Sequence, residues 1–268
     1  MDIKIGTSGF SFRDWVGKVY PKEIKKGEML NYYINNFPFS ALEINVSYYK
    51  LVSGAVYDSF VNRTPDTYDF IVKAYKGITH DVIEKGSWKF NPDYKVIDIF
   101  FRSLETIKKS GKLGGILFQF PPYFFPKRDT TTYLKLLKDK TEDIPVFVEF
   151  RNRYWEDNKY LNFLKDNDID ICTIDLPRLA KLPRYKPTVT GKNAYFRFHG
   201  RNKNWYDKNS DRYNYLYSND EILNFKDDII EIAQRTEKIY AFFNNCHAGK
   251  AVINAKMLVE AIENSYKS

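Results

Sequence analysis

The feature that most constrains the fold is an alternation of short strand-like stretches with longer helix-like stretches along the whole chain. The strand-like stretches are rich in β-branched and aromatic residues. They cover residues 3–7, 41–45, 69–73, 115–120, 146–150, 171–174, 195–199 and 239–243. Helical spacing of apolar residues predicts helices over residues 28–36, from 53 or 54 to just before Pro65, and over 92–110, 130–140, 158–166, 219–236 and 248–264. This alternation is typical of a parallel sheet with helices outside it.

Eight such strands in 268 residues predict a closed α/β barrel, a TIM-like (β/α)8 fold, with residues 1–268 as a single barrel domain. No glycine-rich dinucleotide fingerprint follows any of the strands, which disfavours an open doubly wound sheet. The connection between the sixth and seventh strands is the exception to the pattern. Pro177, Pro183 and Pro187 leave little room for a helix there. We therefore expect an irregular barrel in which this helix is reduced or missing.

The seventh strand has the most informative pattern of side chains. Tyr195, Arg197 and His199 alternate with Phe196 and Phe198, and a glycine follows. Because side chains alternate between the two faces of a strand, one face is aromatic and the other carries a phenol, a guanidinium and an imidazole. Such a polar face is unusual on a solvated sheet. It indicates that the face points into a site.

Polar residues also end the other predicted strands. In a TIM barrel the active site lies at the C-terminal ends of the strands, because the loops there converge over the barrel mouth. Pairs that are two residues apart share a face, which supports an inward direction for several of them. Together with Arg197 and His199, the candidate site residues are Thr7, Glu43, Asn45, Lys73, Gln119, Glu149, Arg151, Arg201, Asn244 and Asn245.

Carboxylates, cations and an imidazole in one pocket predict proton transfer on a small anionic substrate, phosphorylated compounds included. Glu43 or Glu149 would be the catalytic proton-transfer group, with His199 as its partner. The arginines and Lys73 would bind the anion. The alternative is that these residues form buried ion pairs that only seal the barrel. Buried ion pairs are often neutral or costly for stability, so we favour a functional role for the group.

A second anion site is predicted where the last helix begins, in residues 244–250. Backbone N–H groups at a helix start can hold an anion, and TIM barrels often bind phosphate near strands seven and eight. Lys250 could add charge to Arg197 and Arg201 there. The alternative is an ordinary capped helix start.

The charge balance leaves a second class of function open. Lys and Arg total 42 against 34 Asp and Glu, which gives a formal charge of +8. Such a surplus is often plain surface charge, but it also suits nucleic acid. Aromatic, basic loops over residues 10–20 and 202–217 could stack bases and contact phosphates. The chain would then be a nucleic-acid-binding protein or a nuclease, the latter with or without a metal. A third hypothesis is a scaffold whose barrel mouth contacts another protein.

The sequence assigns no cofactor and no metal ligands. His80, His199 and His247 each follow a strand, but no H-x-H, H-E-x-x-H or paired-cysteine spacing accompanies them. The two cysteines, Cys172 and Cys246, do not form a C-x-x-C pair, which suits a reducing compartment. Without a long apolar run or a signal-peptide pattern, we expect no membrane association and a cytoplasmic location.

Several blocks of the chain resemble a known family. They are Gly6-Thr7-Ser8-Gly9-Phe10, Asp14-Trp15, Glu43-Ile44-Asn45, Ile78-Thr79-His80, Gly115 to Pro122, Glu149-Phe150-Arg151, Arg197 to Arg201, Tyr213 to Tyr217 and Phe243-Asn244-Asn245. In this order they are similar to the signature blocks of the YecE-like family, domain of unknown function 72. The resemblance spans nearly the whole chain and implies a TIM-barrel-like fold. It implies no activity, because the family has no settled reaction.

Overall fold

Eight parallel strands form the centre of the molecule in a computed structural model that describes residues 2–84, 86–207 and 210–266. The strands pair in the order β1-β8-β7-β6-β5-β4-β3-β2. They are β1 Asp2–Thr7, β2 Ala41–Ile44, β3 Asp69–Lys73, β4 Leu113–Gln119, β5 Val146–Glu149, β6 Asp170–Asp175, β7 Asn193–Phe198 and β8 Lys238–Phe243. The predicted TIM-like barrel is confirmed, and the strand ends agree with the predicted ones to within a few residues.

The barrel closes at a seam between β1 and β2. One parallel bridge joins Ser8 to Glu43, and the Ser40 N–H donates to the Ile5 carbonyl oxygen at 3.1 Å. The backbones approach so closely here that a Cβ atom at Gly6 would lie 1.9 Å from the carbonyl oxygen of Ala41. Only glycine fits this position, because any other residue would push the two strands apart.

Helices connect the strands on the outside of the barrel. They are α1 Met29–Asn36, α2 Val46–Tyr49, α3 Gly54–Val61, α4 Lys76–Thr79, α5 Tyr94–Ser103, α6 Glu105–Lys109, α7 Arg128–Thr141, α8 Asn158–Asp166, α9 Asn219–Ala233 and α10 Lys250–Ser265. Asp93 caps α5, since its carboxylate accepts from the backbone N–H groups of Lys95 and Val96. Among the described helices, none has both the length and the apolar composition needed to cross a lipid bilayer.

Three details refine the prediction. The helix expected over residues 92–110 is divided into α5 and α6, because Leu104 tightens the turn by donating to the Phe101 carbonyl oxygen. The last helix begins at Lys250 rather than at Ala248, since Ala248 and Gly249 both have positive φ angles of 54° and 82°. Residues 176–192, between β6 and β7, contain no helix, as the prolines predict.

Apolar side chains fill two separate layers. The larger one lies between the strands and the outer helices and includes Phe198 and Phe225, whose rings stack at 4.3 Å. The smaller one fills the barrel and includes Leu117, Phe147 and Tyr240. At the N-terminal end of the strands, the Tyr240 hydroxyl donates to Asp69 at 2.7 Å. This end of the interior is therefore packed, and polar groups gather at the opposite end.

Candidate functional site

The inward faces of β2, β5 and β7 bring four charged or titratable side chains together at the C-terminal end of the barrel. Glu43, Glu149, Arg197 and His199 are all buried. They come from positions as far as 156 residues apart, from 43 to 199 in the sequence. Parallel strands place them together because their C-terminal ends share one rim. We use the name mouth cluster for these four residues with Lys73, Arg151 and Asn244.

Arg197 is the centre of the mouth cluster. Its Nε and one terminal nitrogen donate to the two oxygens of Glu43 at 2.7 and 2.6 Å. The other terminal nitrogen donates to Glu149 at 2.6 Å, and the Tyr195 hydroxyl donates to Glu43 at 2.6 Å. Burial alone would raise the pKa of Glu43, but the Arg197 charge and these hydrogen bonds lower it overall. Glu43 is therefore an ionised carboxylate with both oxygens occupied, which does not suit the predicted role of proton-transfer group.

Glu149 lies between two guanidinium groups and an imidazole. It forms ion pairs with Arg197 and Arg151, and its Oε1 lies 3.4 Å from His199 Nε2. Burial favours the protonated form, but the charges of Arg151 and Arg197 hold the pKa of Glu149 well below its ordinary value. Like Glu43, this residue stays ionised and is a weak base at neutral pH.

His199 is neutral in this setting. Burial, followed by the charge on Arg151, lowers its pKa to about 3. Asn244 lies 2.8 Å from its Nδ1, and an Arg151 terminal nitrogen lies 3.3 Å from its Nε2. The ring is held from both sides, which fixes its orientation over the carboxylate of Glu149.

Lys73 differs from the other charged members of the mouth cluster. Within residues 2–84, 86–207 and 210–266, no side-chain or backbone oxygen accepts a hydrogen bond from its amine, and no carboxylate lies within ion-pair distance. The amine instead lies 4.1 Å from the centre of the Tyr48 ring. Burial and the charge on Arg197 lower its pKa to about 7, although Glu43 and Glu149 oppose the shift. At neutral pH a large fraction of Lys73 is a free amine.

His80 is a second neutral imidazole near Lys73. Burial and the charges of Lys73 and Arg151 lower its pKa to about 4. Its ring meets the Tyr48 ring edge-on at 5.2 Å, and its Nδ1 lies 2.9 Å from the Thr79 hydroxyl. Tyr48 thus lies between the amine and the imidazole.

Two more predicted residues lie near the mouth cluster without joining its ion pairs. Gln119 is buried beside Glu149 in the register of β4 and β5, and its amide donates to the Phe120 carbonyl oxygen at 3.1 Å. Asn45 is half-buried and follows β2, and its Oδ1 is a buried atom that accepts no hydrogen bond from the described residues. An acceptor of this kind is available to a donor group on a substrate.

Three predicted residues lie outside the mouth cluster. The Thr7 hydroxyl contacts the Tyr33 hydroxyl at 2.7 Å, on the helical side of β1. Asn245 is buried and its amide donates to the Tyr215 carbonyl oxygen and to Asn254. Both positions have the wrong parity, since the residues next to them in the chain, Ser8 and Asn244, take the inward face.

Arg201 is the third predicted residue that lies outside the mouth cluster. It forms an ion pair with Asp175 at 2.8 Å and another with Glu221 at 2.6 Å. Its guanidinium lies 5.6 Å from the Phe225 ring of α9, in the outer layer. Arg201 therefore ties the barrel to a helix and is not available to an anion in the mouth.

The predicted anion site at the start of the last helix is already occupied by the chain itself. The Ala248 N–H donates to the Asp14 carboxylate at 2.5 Å. His247 contacts Asp211 at 2.6 Å, and the Lys250 amine donates to Asn214 at 2.5 Å. The carboxylate of Asp14 takes the place that we predicted for a bound anion.

The aromatic loops proposed for base stacking are mostly packed inside. Trp15 is buried and donates to the Cys246 carbonyl oxygen at 2.6 Å, and Tyr20 donates to Phe10. Trp205 is buried too, although Tyr206 is exposed. Two of the large rings of residues 10–20 are therefore buried, whereas residues 202–207 and 210–217 carry both buried and exposed rings.

A groove runs instead between the loops that follow β4 and β5. It has a volume of about 1230 Å³ and reaches Arg151 of the mouth cluster. Exposed aromatic rings and cations line it, namely Phe125, Lys127, Arg153, Tyr154 and Lys181, together with the half-buried Tyr123. Among the described parts of the chain, no group of three or more His, Cys, Asp or Glu side chains could hold a metal ion.

Two aromatic residues outside the candidate site residues contact the mouth cluster, although the sequence places one of them, Tyr195, on the same face as Arg197. The Tyr195 hydroxyl donates to Glu43, and the Tyr48 ring faces the Lys73 amine. Tyr195 could have been included, because it has the same parity as Arg197. Tyr48 carries no such signal, since it lies in the short helix α2 and its direction depends on tertiary packing.

Comparison with known proteins agrees with this architecture. Residues 4–268 match the family described as Protein of unknown function DUF72. The UPF0759 protein YunF of Bacillus subtilis is 31% identical over 280 residues, covering 98% of this chain and 96% of YunF. A crystal structure of a DUF72 family protein from Thermotoga maritima has a TM-score of 0.89 at 34% identity, covering 98% of this chain and all of that one. A DUF72 family protein from Enterococcus faecalis gives 0.82 at 25% identity, covering 97% and 95%. This chain therefore belongs to the DUF72 family.

Proposed function

We propose that this protein is an enzyme that acts on a small anionic substrate at the mouth of the barrel, with Lys73 as its reactive group. The observation that carries the proposal is the contrast within the mouth cluster. Arg197 is paired with Glu43 and Glu149, whereas the Lys73 amine has no such partner among the described residues. A partly neutral amine is a good proton acceptor near pH 7. Lys73 takes the role that the sequence suggested for a glutamate.

The anionic character of the substrate follows from the charges at the mouth. Three cations, Lys73, Arg151 and Arg197, face two carboxylates, so that the protonated cluster has one positive charge in excess. Arg151 is also the arginine of the cluster that reaches solvent, with 12% of its side chain exposed. A buried positive surplus is relieved by a bound anion, which makes binding favourable.

Metabolite depletion would test the enzymatic proposal. The purified full-length protein is incubated with a mixture of small phosphorylated and carboxylated metabolites, and their loss is followed by mass spectrometry. We expect the wild type and the Lys76→Met variant to consume the same anionic compound, and the Lys73→Met variant to lose at least about 100-fold in rate. Lys76 is a matched control, because it is exposed and lies three residues away. Equal consumption by both variants, or no consumption by the wild type, would contradict the proposal.

Anion binding can be tested separately with inorganic phosphate and oxalate. These ions should raise the melting temperature of the wild type and of Arg153→Gln, but not that of Arg151→Gln. Arg153 is the control, since it is exposed and is two positions from Arg151. An increase that Arg151→Gln retains in full would place the anion elsewhere.

A second candidate function is binding of single-stranded nucleic acid in the groove that ends at Arg151. Tyr154 and Phe125 are 66% and 41% exposed there, and their rings meet edge-on at 5.6 Å. Exposed rings interleaved with cations suit base stacking and phosphate contact. Retention of a single-stranded oligonucleotide on a filter should then fall steeply with salt and fall further in Tyr154→Ala. Absence of retention at low salt would remove this candidate.

A further inference from the structure

We propose that the Lys73 amine condenses with the carbonyl group of a small aldehyde or ketone that carries a carboxylate or phosphate, and so holds its substrate as an imine. This inference rests on the proposed function and adds the substrate class. It assigns Lys73 to nucleophilic catalysis, whereas proton transfer alone would need no carbonyl compound.

The position of Lys73 suits a nucleophile. It is the last residue of β3 and shares the inward face with Ile71, so that its side chain lies in the barrel at the mouth. Its backbone is fixed on both sides, because its carbonyl oxygen accepts from the Ser47 hydroxyl at 2.7 Å and the next N–H donates to Leu117. The amine is thus carried by a rigid strand end and not by a loop.

The surroundings leave the nitrogen lone pair available. An ammonium group in an ion pair has no lone pair to donate, and the Lys73 amine forms no ion pair within the described residues. Desolvation together with neighbouring cations is a known way to activate a lysine as a nucleophile. The pKa of about 7 agrees with this geometry. The titratable groups that face the amine are Glu43, Tyr48, His80, Glu149, Arg151 and Arg197.

The same surroundings stabilise the product. A protonated imine is a cation, and the face of the Tyr48 ring lies 4.1 Å from the nitrogen that would bear the charge. The carboxylates of Glu43 and Glu149 also favour a cation at this nitrogen. Arg151, whose side chain is 12% exposed, would bind the anionic end of the same molecule.

The condensation balances without an oxidant or reductant. The amine nitrogen bonds to the carbonyl carbon, and the electron pair of the C=O bond moves to oxygen, which takes a proton. The nitrogen gives up its two protons in turn and forms the C=N bond, while the hydroxyl group takes up a proton and leaves as water. One carbonyl compound and one amine therefore give one imine and one water molecule.

Reductive trapping tests the proposal directly. The full-length protein is incubated with glyoxylate, pyruvate or glyceraldehyde 3-phosphate, and sodium borohydride is added to reduce any imine to a stable secondary amine. Intact mass should show one adduct, and peptide mapping should place it on Lys73. At pH 7 we expect Lys73 to be labelled at least about tenfold faster than any exposed lysine, because those amines are almost wholly protonated. The Lys76→Met variant should keep the adduct and Lys73→Met should lose it.

The pH dependence provides a readout that does not rely on a variant. Labelling of wild-type Lys73 should rise through about pH 7, whereas labelling of exposed lysines should rise only near their much higher pKa values. Uniform labelling across the surface lysines with no preference for Lys73 would overturn the imine. If Lys73→Met still abolishes metabolite consumption in that case, the enzymatic proposal stands and Lys73 acts by proton transfer. If consumption is unaffected too, both proposals fail.

Discussion

The two ends of strand β3 carry opposite charges in two different environments. Asp69, at the N-terminal end, accepts hydrogen bonds from the Lys238 amine at 2.9 Å and from the Tyr240 hydroxyl at 2.7 Å. Lys73, at the C-terminal end, lies over the ring of Tyr48. One end of the barrel thus pairs its lysine with a carboxylate, and the other end contains a lysine that forms no ion pair with the described residues.

The pKa values of the two lysines are shifted in opposite directions. Burial would lower the pKa of Lys238, but its hydrogen bond to Asp69 and the nearby acidic charges raise it overall. For Lys73, burial and Arg197 prevail and the pKa falls to about 7. The fold can therefore pair a lysine at the N-terminal end of the barrel with a carboxylate. That it does so at one end only supports a chemical role for the other end.

The largest effect should come from Arg197→Ala, which leaves two buried carboxylates without their shared cation. We expect a loss of about 3–5 kcal/mol in the free energy of unfolding at pH 7, measured by urea denaturation. The pKa values of Glu43 and Glu149 are lowered in the folded state. Their ionised forms therefore stabilise the folded protein at pH values above the pKa of an unfolded glutamate, and this stabilisation is lost as the pH falls. The difference from wild type should therefore shrink below about pH 4.

Arg178→Ala is the control for this comparison, because Arg178 is exposed in the segment between β6 and β7. Its effect should stay within about 0.5 kcal/mol. If Arg197→Ala lowered the free energy of unfolding by less than about 1 kcal/mol, the buried carboxylates would not need the Arg197 charge for stability.

At the N-terminal end of β3, Asp69→Asn should lower the free energy of unfolding by about 2 kcal/mol in urea denaturation. The asparagine amide would place a donor group where Lys238 and Tyr240 both donate. Trapping of an imine at Lys73 should be unchanged, since the change lies at the far end of the strand. Asp2→Asn is the matched control: Asp2 contacts the same lysine from the surface at 3.3 Å and should matter little. If Asp69→Asn reduced trapping strongly, the two ends would not be independent.

Lys73→Met should stabilise the protein, by about 1–2 kcal/mol at pH 6. The folded pKa of about 7 lies below the ordinary value of 10.5, so that the folded state resists protonation. Lys73 therefore lowers the free energy of unfolding of the wild type by its full amount below pH 7, and this destabilisation disappears as the pH rises towards 10.5. Thermal denaturation at a series of pH values should show the gain shrinking in that window. A variant less stable than wild type at pH 6 would show that the ammonium is well accommodated.

The smallest effect is expected for Lys238→Met, a loss of about 0.5 kcal/mol, since 31% of this side chain is exposed and solvent screens its ion pairs. The pKa of Lys238 is raised in the folded state. Its ion pairs therefore stabilise the folded protein below the pKa of an unfolded lysine, and this stabilisation is lost as the pH rises through the pKa of the folded state. Urea denaturation at pH 7 and at high pH would measure it. A gain in stability at pH 7 would remove the contrast between the two lysines.

Much of the fold was predictable because it depends on local patterns. Strand and helix alternation predicted the barrel, and three prolines predicted the missing helix after β6. Parity correctly grouped Glu43, Arg197 and His199 on inward faces. The same rule, applied to β8, would have separated Asn244 from Asn245.

Other features depend on contacts between distant parts of the chain. Asp14 occupies the N–H of Ala248 across 234 residues, and no local signal announces that contact. The state of Lys73 depends on its distance from Arg197 and on the loss of water around it. A sequence shows that a lysine follows a strand, but it does not show whether a carboxylate will reach it.

The seam at Gly6 has a consequence for the neighbouring part of the barrel mouth. The spacing of β1 and β2 is set by a residue without a side chain, and Glu43 lies on β2 directly beyond that contact. Glu43 in turn orients the guanidinium that lowers the basicity of Lys73. The spacing of β1 and β2, set by one missing methyl group, therefore bears on the basicity of an amine at the end of β3, the strand that pairs with β2.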